Sequence, residues 1–222
     1  MHATVADVAF LANMKEDTLQ KSLERNVPTE FSEGFFADKV VLVEGSTDRA
    51  VLEAVSSHLG HDLDALGVSV LEASGKQSLH ALYEILSSLG IPTYVLVDGD
   101  FGTAARRHPS DPAAETKAHQ SHMTQTDGVI AWLPSSTTLL GAATPTFGAT
   151  TISENYTVWK DDVEEELCGW SSLVAAATTL KLDLQSRSDK NLMLYRQAIL
   201  AADATDVPAT LSKVIKAIVA LT

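Results

Sequence analysis

The feature that most constrains this chain is a recurrence: a short, unbroken run of aliphatic and β-branched residues, then a turn, then an amphipathic segment. Lys39 to Val43 reads KVVLV, Val68 to Leu71 reads VSVL, and Thr93 to Val97 reads TYVLV. Continuous apolar runs of this length, without alternation, suit strands buried on both faces of a sheet. The first is followed by Ala50, Val51, Leu52, Ala54 and Val55 at helical spacing, with Ser46 or Thr47 as cap. The second leads through Gly75 into a helix over Leu79 to Leu89 that stops at Gly90. Strands alternating with helices dictate a parallel sheet with right-handed crossovers. The expected fold class is therefore α/β, a Rossmann-like parallel sheet flanked by helices.

In such sheets ligands bind beyond the carboxyl ends of the strands. Glu44-Gly45 follows the first strand and Asp98-Gly99-Asp100 the third, so three carboxylates share one edge. Ionised groups that close repel one another, and something must compensate them. A hard cation with oxygen ligands is the natural partner, because Mg²⁺ prefers carboxylates and retains waters for chemistry. Gly45 and Gly99 would let a phosphate or a metal shell approach the backbone. Asp48, one helical turn past Glu44, can point back to the same place.

Outside this core, Met1 to Phe31 has helical spacing of apolar residues and ends near Pro28. From Phe101 to about Thr126 the composition turns polar, with Pro109 and Pro112, which reads as a loop or a mobile helical insertion. Asp127 to Leu140 is expected to be helical, Gly141 to Gly148 a loop and Asn155 to Trp159 a fourth strand. A helix starts at Asp162, and the tail from Ser171 reads as helical with a break at Pro208.

The 222 residues, 45% hydrophobic and 20% charged, suffice for a real core. The single cysteine, Cys168, excludes a disulfide framework and a cysteine-rich zinc site. No apolar run approaches the roughly 20 residues of a membrane span, and Met1 to Phe10 lacks a secretory pattern, so a cytoplasmic protein without membrane contact is expected. Sixteen Lys and Arg against 29 Asp and Glu give a formal charge of −13, which repels a polyanion at long range.

Together the segments VLVEGSTDRAVLEAV and VLVDGD resemble the Toprim domain of topoisomerases, primases, recombination proteins and the OLD (overcoming lysogenization defect) nucleases. The lead-in FFADKVVLVEGSTD, the intermediate SGKQSLHALYEILSSLGIP and the later KDDVEEEL are most similar to the OLD family. That resemblance, from about Phe31 to the C-terminus, implies that Glu44, Asp48, Asp98 and Asp100 are metal-binding carboxylates. It further implies that Asp162 and Glu164 help to hold a second metal and that Lys190, in SDKN, lies near a scissile phosphate. Lys76 could touch a phosphate from the second strand–helix turn. The implied activity is a DNA endonuclease, nicking or cleaving by two-metal phosphodiester hydrolysis, with two Mg²⁺ (or Mn²⁺) ions per site some 4 Å apart. The implied layout is an N-terminal helical segment (1–36), a Toprim catalytic domain (37–168) with the polar insertion at about 101–126, and a helical C-terminal region (169–222) completing the site.

In that family an ABC-type ATPase precedes the Toprim region, and no Walker A sequence is present here. Ser74-Gly75-Lys76 is not one, since Val70 stands where the first glycine belongs and Gln77 where Ser or Thr does. The expectation is the catalytic region of an OLD-type ATPase–nuclease, or a stand-alone relative, with DNA engagement and any homo-oligomer formed through the regions not in this sequence. Two alternatives stand beside it. VLVDGD also resembles the nucleophile strand of a haloacid-dehalogenase-type phosphatase, although position 102 is Gly and Glu44 is left unexplained. A catalytically silent Toprim interaction module is the other. His108, His119 and His122 read as a solvated polar insertion rather than a transition-metal site.

Overall fold

The computed structural model describes residues 31–187 and 191–222. The helices expected before Phe31, and Lys190, lie outside the described residues. The sheet has six strands: β1 (Lys39–Val43), β2 (Val68–Glu72), β3 (Thr93–Val97), β4 (Thr138–Leu140), β5 (Thr151–Ser153) and β6 (Tyr156–Val158), in the order β2-β1-β3-β6-β5-β4. The first four strands of that order run parallel. β5 and β4 extend the sheet antiparallel, so the sheet is mixed where an all-parallel one was expected.

β1 lies between β2 and β3 and is covered on both faces, which is why Val40 to Val43 are all apolar. Val41 and Val43 face one side, Val40 and Leu42 the other, by the two-residue period of a strand. The first side packs against α1 (Ser46–His58), together with Trp170, Leu173, Tyr195, Leu211 and Ile215 from the C-terminal helices. The second packs against Leu79, Leu82 and Leu86 of α2 (Leu79–Ser88). Three layers result, with one edge of the sheet left to loops.

The polar stretch after β3 is ordered. It forms a short α3 (Thr103–Arg107) and a 19-residue α4 (Pro112–Ile130). Asp111 caps α4 by accepting from Ala114 N–H at 3.0 Å, and Pro112 occupies the first turn, where it needs no donor. The Asp-Pro pair that reads as a loop signal is here a helix start. α4 ends at Ile130, and the expected helical continuation to Leu140 is instead a turn through Pro134 followed by β4. The later helices are α5 (Val163–Cys168), α6 (Ser171–Leu180), α7 (Leu192–Ala201) and α8 (Ala209–Ala220). The tail is thus interrupted after Leu180 as well as at Pro208, with Lys181 in the left-handed conformation that ends α6. No helix among the described residues is long and apolar enough to cross a membrane.

Candidate functional site

The register Val43↔Glu72 and Val97↔Val158 brings the carboxyl ends of β1, β2, β3 and β6 to a single edge. Glu44 stands just past β1 and accepts from the Asp98 backbone N–H at 2.9 Å, which ties the first carboxylate to the strand that carries the second. Gly45 caps α1, and its N–H donates to Asp48 Oδ2 at 3.0 Å. Asp48 is thereby turned back toward Glu44, as its one-turn spacing implied. Glu44, Asp48, Asp98 and Glu164 line one cavity of about 370 Å³, with Glu72 from the end of β2.

Burial and the crowding of acids act together on these carboxyls. Burial pushes the Glu44 carboxyl up to about 8, and the charges of Asp48 and Asp100 add to this, while Lys76 and the Asp98 N–H oppose it. Burial likewise drives Asp98 well above the usual carboxylate range, reinforced by Asp48, Glu44, Glu164 and Asp162. Asp100 moves the other way. Burial would raise it, but Lys76 Nζ at 2.7 Å outweighs that, helped by His122 and the Thr103 hydroxyl.

The glycine of Asp-Gly-Asp has a reason different from the one expected. A Cβ at Gly99 would overlap the carbonyl oxygens of Trp159 and Lys160, so the residue is demanded by the close passage of the β6 extension rather than by a ligand. The same passage carries the Asp100 N–H to Asp161 O at 2.9 Å. Asp100 itself takes a left-handed φ of 59°. At Gly45 a Cβ would meet only Asp48 Oδ2, at an ordinary 3.7 Å.

Asp162 and Glu164 part company. Glu164, 4% exposed, reaches the carboxylate cavity. Asp162 caps α5 through Glu165 N–H at 2.9 Å and is paired with Arg106 Nη2 at 3.0 Å and Arg187 Nε at 2.6 Å. Burial, Asp161 and Glu164 push it up to about 6 against the pull of Arg187. Arg106 also pairs with Asp161, and Arg187 with Glu165 at 2.7 Å. Lys76 does not reach outward to a phosphate position. It is buried, with its ammonium 2.7 Å from Asp100 Oδ2 and 3.9 Å from Glu44 Oε1.

Sequence reading missed Glu72, Arg106 and Arg187, and it took His122 for part of a solvated insertion, whereas its Nδ1 lies 3.5 Å from Asp100 Oδ2. Only Glu72 had a usable signal, as an acid ending a strand on the same edge. Cys168 is a free, half-buried thiol. Among the described residues no three His, Cys, Asp or Glu side chains are closed around one point as a finished metal cage. The donor chemistry nevertheless fits a hard divalent ion: every candidate ligand is a carboxylate oxygen, and a cation among them would offset the burial and like-charge repulsion that lift Glu44 and Asp98.

Residues 35–100 match the family described as overcoming lysogenization defect protein-like, TOPRIM domain. The chain is 37% identical over 67 residues to the Old nuclease of Escherichia phage P2, a stretch covering 30% of this chain and 11% of that protein. It is 38% identical over 65 residues to the uncharacterized protein YbjD of Escherichia coli K12, covering 29% and 12%. The matched part thus spans about a tenth of each relative. Among solved structures it is similar to the C-terminal region of the Burkholderia pseudomallei OLD protein, with TM-score 0.47 and 22% identity over 82% of this chain and 97% of that one. It is also similar to the C-terminal region of the Xanthomonas campestris pv. campestris OLD protein, with TM-score 0.45 and 18% identity over 83% and 96%. The matched segment runs from the lead-in to β1 to the last acid of Asp-Gly-Asp, so residues 35–100 of this chain are similar to the TOPRIM domain of overcoming lysogenization defect-like proteins.

Proposed function

We propose that the chain is a metal-dependent DNA endonuclease acting by two-metal phosphodiester hydrolysis, the catalytic region of an OLD-type ATPase–nuclease. The observation that carries this reading is the convergence of Glu44, Asp48, Asp98 and Glu164 on one cavity at the carboxyl edge of a Toprim sheet. The phage relative matched across that segment is a nuclease by name, which supports the same class.

Glu44, Asp48, Asp98 and Glu164 would hold divalent ions, Mg²⁺ or Mn²⁺, with Asp100 and Asp162 at the margin of the set. Ions held there would supply a water of lowered pKa and charge neutralisation at the phosphate. The chain's own part is to fix the donors. The Glu44–Asp98 N–H bond locks two strand ends together, and the Gly45 N–H sets the Asp48 rotamer. Arg106 and Arg187 hold Asp162 at the helix start beside Glu164. Lys190 is assigned to the scissile phosphate on the family resemblance.

A haloacid-dehalogenase-type phosphatase would need Asp98 as an ionised, attacking carboxylate. That reading leaves Glu44, Asp48 and Glu164, gathered on the same cavity, without a role, which disfavours it. The decisive experiment incubates the chain with supercoiled plasmid and Mg²⁺ or Mn²⁺. Loss of the supercoiled form is expected, and it should vanish with EDTA and in Glu44→Ala and Asp98→Ala. Variants that cut as well as the parent would refute the site, and no cutting when the ATPase region is supplied would favour a silent module.

A further inference from the structure

Lys76 lies in the turn after β2, between Gly75 with φ of 110° and α2, and its side chain is 5% exposed. Its ammonium donates to Asp100 Oδ2 at 2.7 Å and lies 3.9 Å from Glu44 Oε1. It is fixed from behind by donating to Thr126 Oγ1 at 3.2 Å, and the fully buried Thr126 hydroxyl donates in turn to Gly99 O at 3.1 Å. A full charge withdrawn from water persists only against anions that repay its lost hydration. Here the compensating anion is Asp100, with the Glu44 carboxyl 3.9 Å away at the end of a second strand, and both belong to the carboxylate set assigned above to the divalent ions.

We propose that Lys76 is a positioning residue that serves as the resident counter-ion of the site, holding Glu44 and Asp100 together without a divalent ion and competing with that ion for their oxygens. This rests on the metal-dependent reading above. An ammonium bonded to Asp100 takes up acceptor capacity that a cation would use, and its charge repels a second cation nearby. The site is thereby kept assembled when empty, at the expense of affinity when filled. The tether through Thr126 fits this role, because it anchors the lysine to α4 and to the backbone of Asp-Gly-Asp itself rather than leaving it to swing into solvent.

The test compares the full chain with Lys76→Met and Lys76→Gln, without nucleic acid. Mn²⁺ binding is read by electron paramagnetic resonance or calorimetry, and melting in EDTA by circular dichroism. Both variants should bind Mn²⁺ more tightly, on the order of tenfold for one opposing charge removed from a partly screened site. Both should melt lower in EDTA, with the deficit closing at saturating Mn²⁺. A lysine that merely packs would lower melting without tightening binding. Unchanged or weaker Mn²⁺ binding in the variants, with the parent binding normally, overturns the proposal and leaves the metal-dependent reading standing. No Mn²⁺ binding by the parent overturns both. Should the methionine variant fail to fold, the glutamine variant, which can still donate to Thr126, carries the comparison.

Discussion

Glu44→Gln should make the metal-free chain more stable, and only above mildly acidic pH. Burial and neighbouring acids raise Glu44 from 4.5 to about 8 in the folded chain. Below 4.5 the carboxyl is protonated in both the folded and the unfolded chain, and its ionisation contributes nothing to stability. Between 4.5 and 8 the unfolded chain ionises while the folded one keeps its proton, so the folded state binds more protons and stability falls as pH rises. Above 8 the loss is complete. A rise of about 3.5 units at about 1.4 kcal/mol each bounds the loss at about 5 kcal/mol. Since Asp98 is lifted by the same burial and crowding and would remain in the variant, a single substitution should recover roughly half of it, about 2–3 kcal/mol. For a chain of this length that is a rise of about 4–12 °C in melting temperature. Gln keeps an oxygen to accept the Asp98 N–H, so the strand tie survives. The assay is denaturant or thermal unfolding of parent and variant in EDTA at pH 5, 6, 7, 8 and 9. The gap should be near zero at pH 5 and grow to pH 8, and saturating Mg²⁺ should erase the parent's deficit. A gap independent of pH, or a less stable variant at pH 8, would refute the like-charge account.

Two further outcomes follow from the same geometry. Gly99→Ala, forced against two carbonyl oxygens, should lose about 3 kcal/mol in denaturant unfolding, whereas Gly45→Ala, with open space around it, should lose under about 1 kcal/mol; the reverse order would refute the packing argument. Arg187→Ala removes a cation from Asp162, Asp161 and Glu165, and its effect is expected at about 3 kcal/mol near pH 8. Because Asp162 is raised to about 6, the loss should shrink at pH 5, where that acid is protonated in the folded chain. Equal losses at both pH values would mean that the arginine acts by packing alone.

The sequence makes the centre of this fold legible and leaves its margins unread, for physical reasons. β1, β2 and β3 are buried on both faces, so their apolar runs are continuous and their ends unmistakable, and Glu44, Asp98 and Asp100 inherit that clarity. β4 and β5 have three residues each, too few for a period to declare itself, and their pairing is decided by neighbours in space. α4 buries only Thr126 and Val129, and its half-buried side includes Glu115, His119 and His122, so it has no clear apolar face to announce a helix. Its cap was the available signal, and Asp-Pro serves helix starts and turns alike. The ion pairs of Asp162 join residues 56 and 25 positions apart, and nothing local in Arg106 or Arg187 foretells them.

The charge balance now has a structural counterpart. Among the described residues, Lys76, Arg106 and Arg187 are cations beside the carboxylate edge, and each is engaged: Lys76 by Asp100 and Glu44, Arg106 by Asp161 and Asp162, Arg187 by Asp162 and Glu165. A phosphate backbone approaching this edge would find cations already spent on holding acids, on a chain of formal charge −13. On the proposed function, ions held among Glu44, Asp48, Asp98 and Glu164 would supply the charge that attracts a polyanion. On that same reading, this edge would cut a phosphodiester delivered to it, while its described cations, being paired, would do little to draw one in.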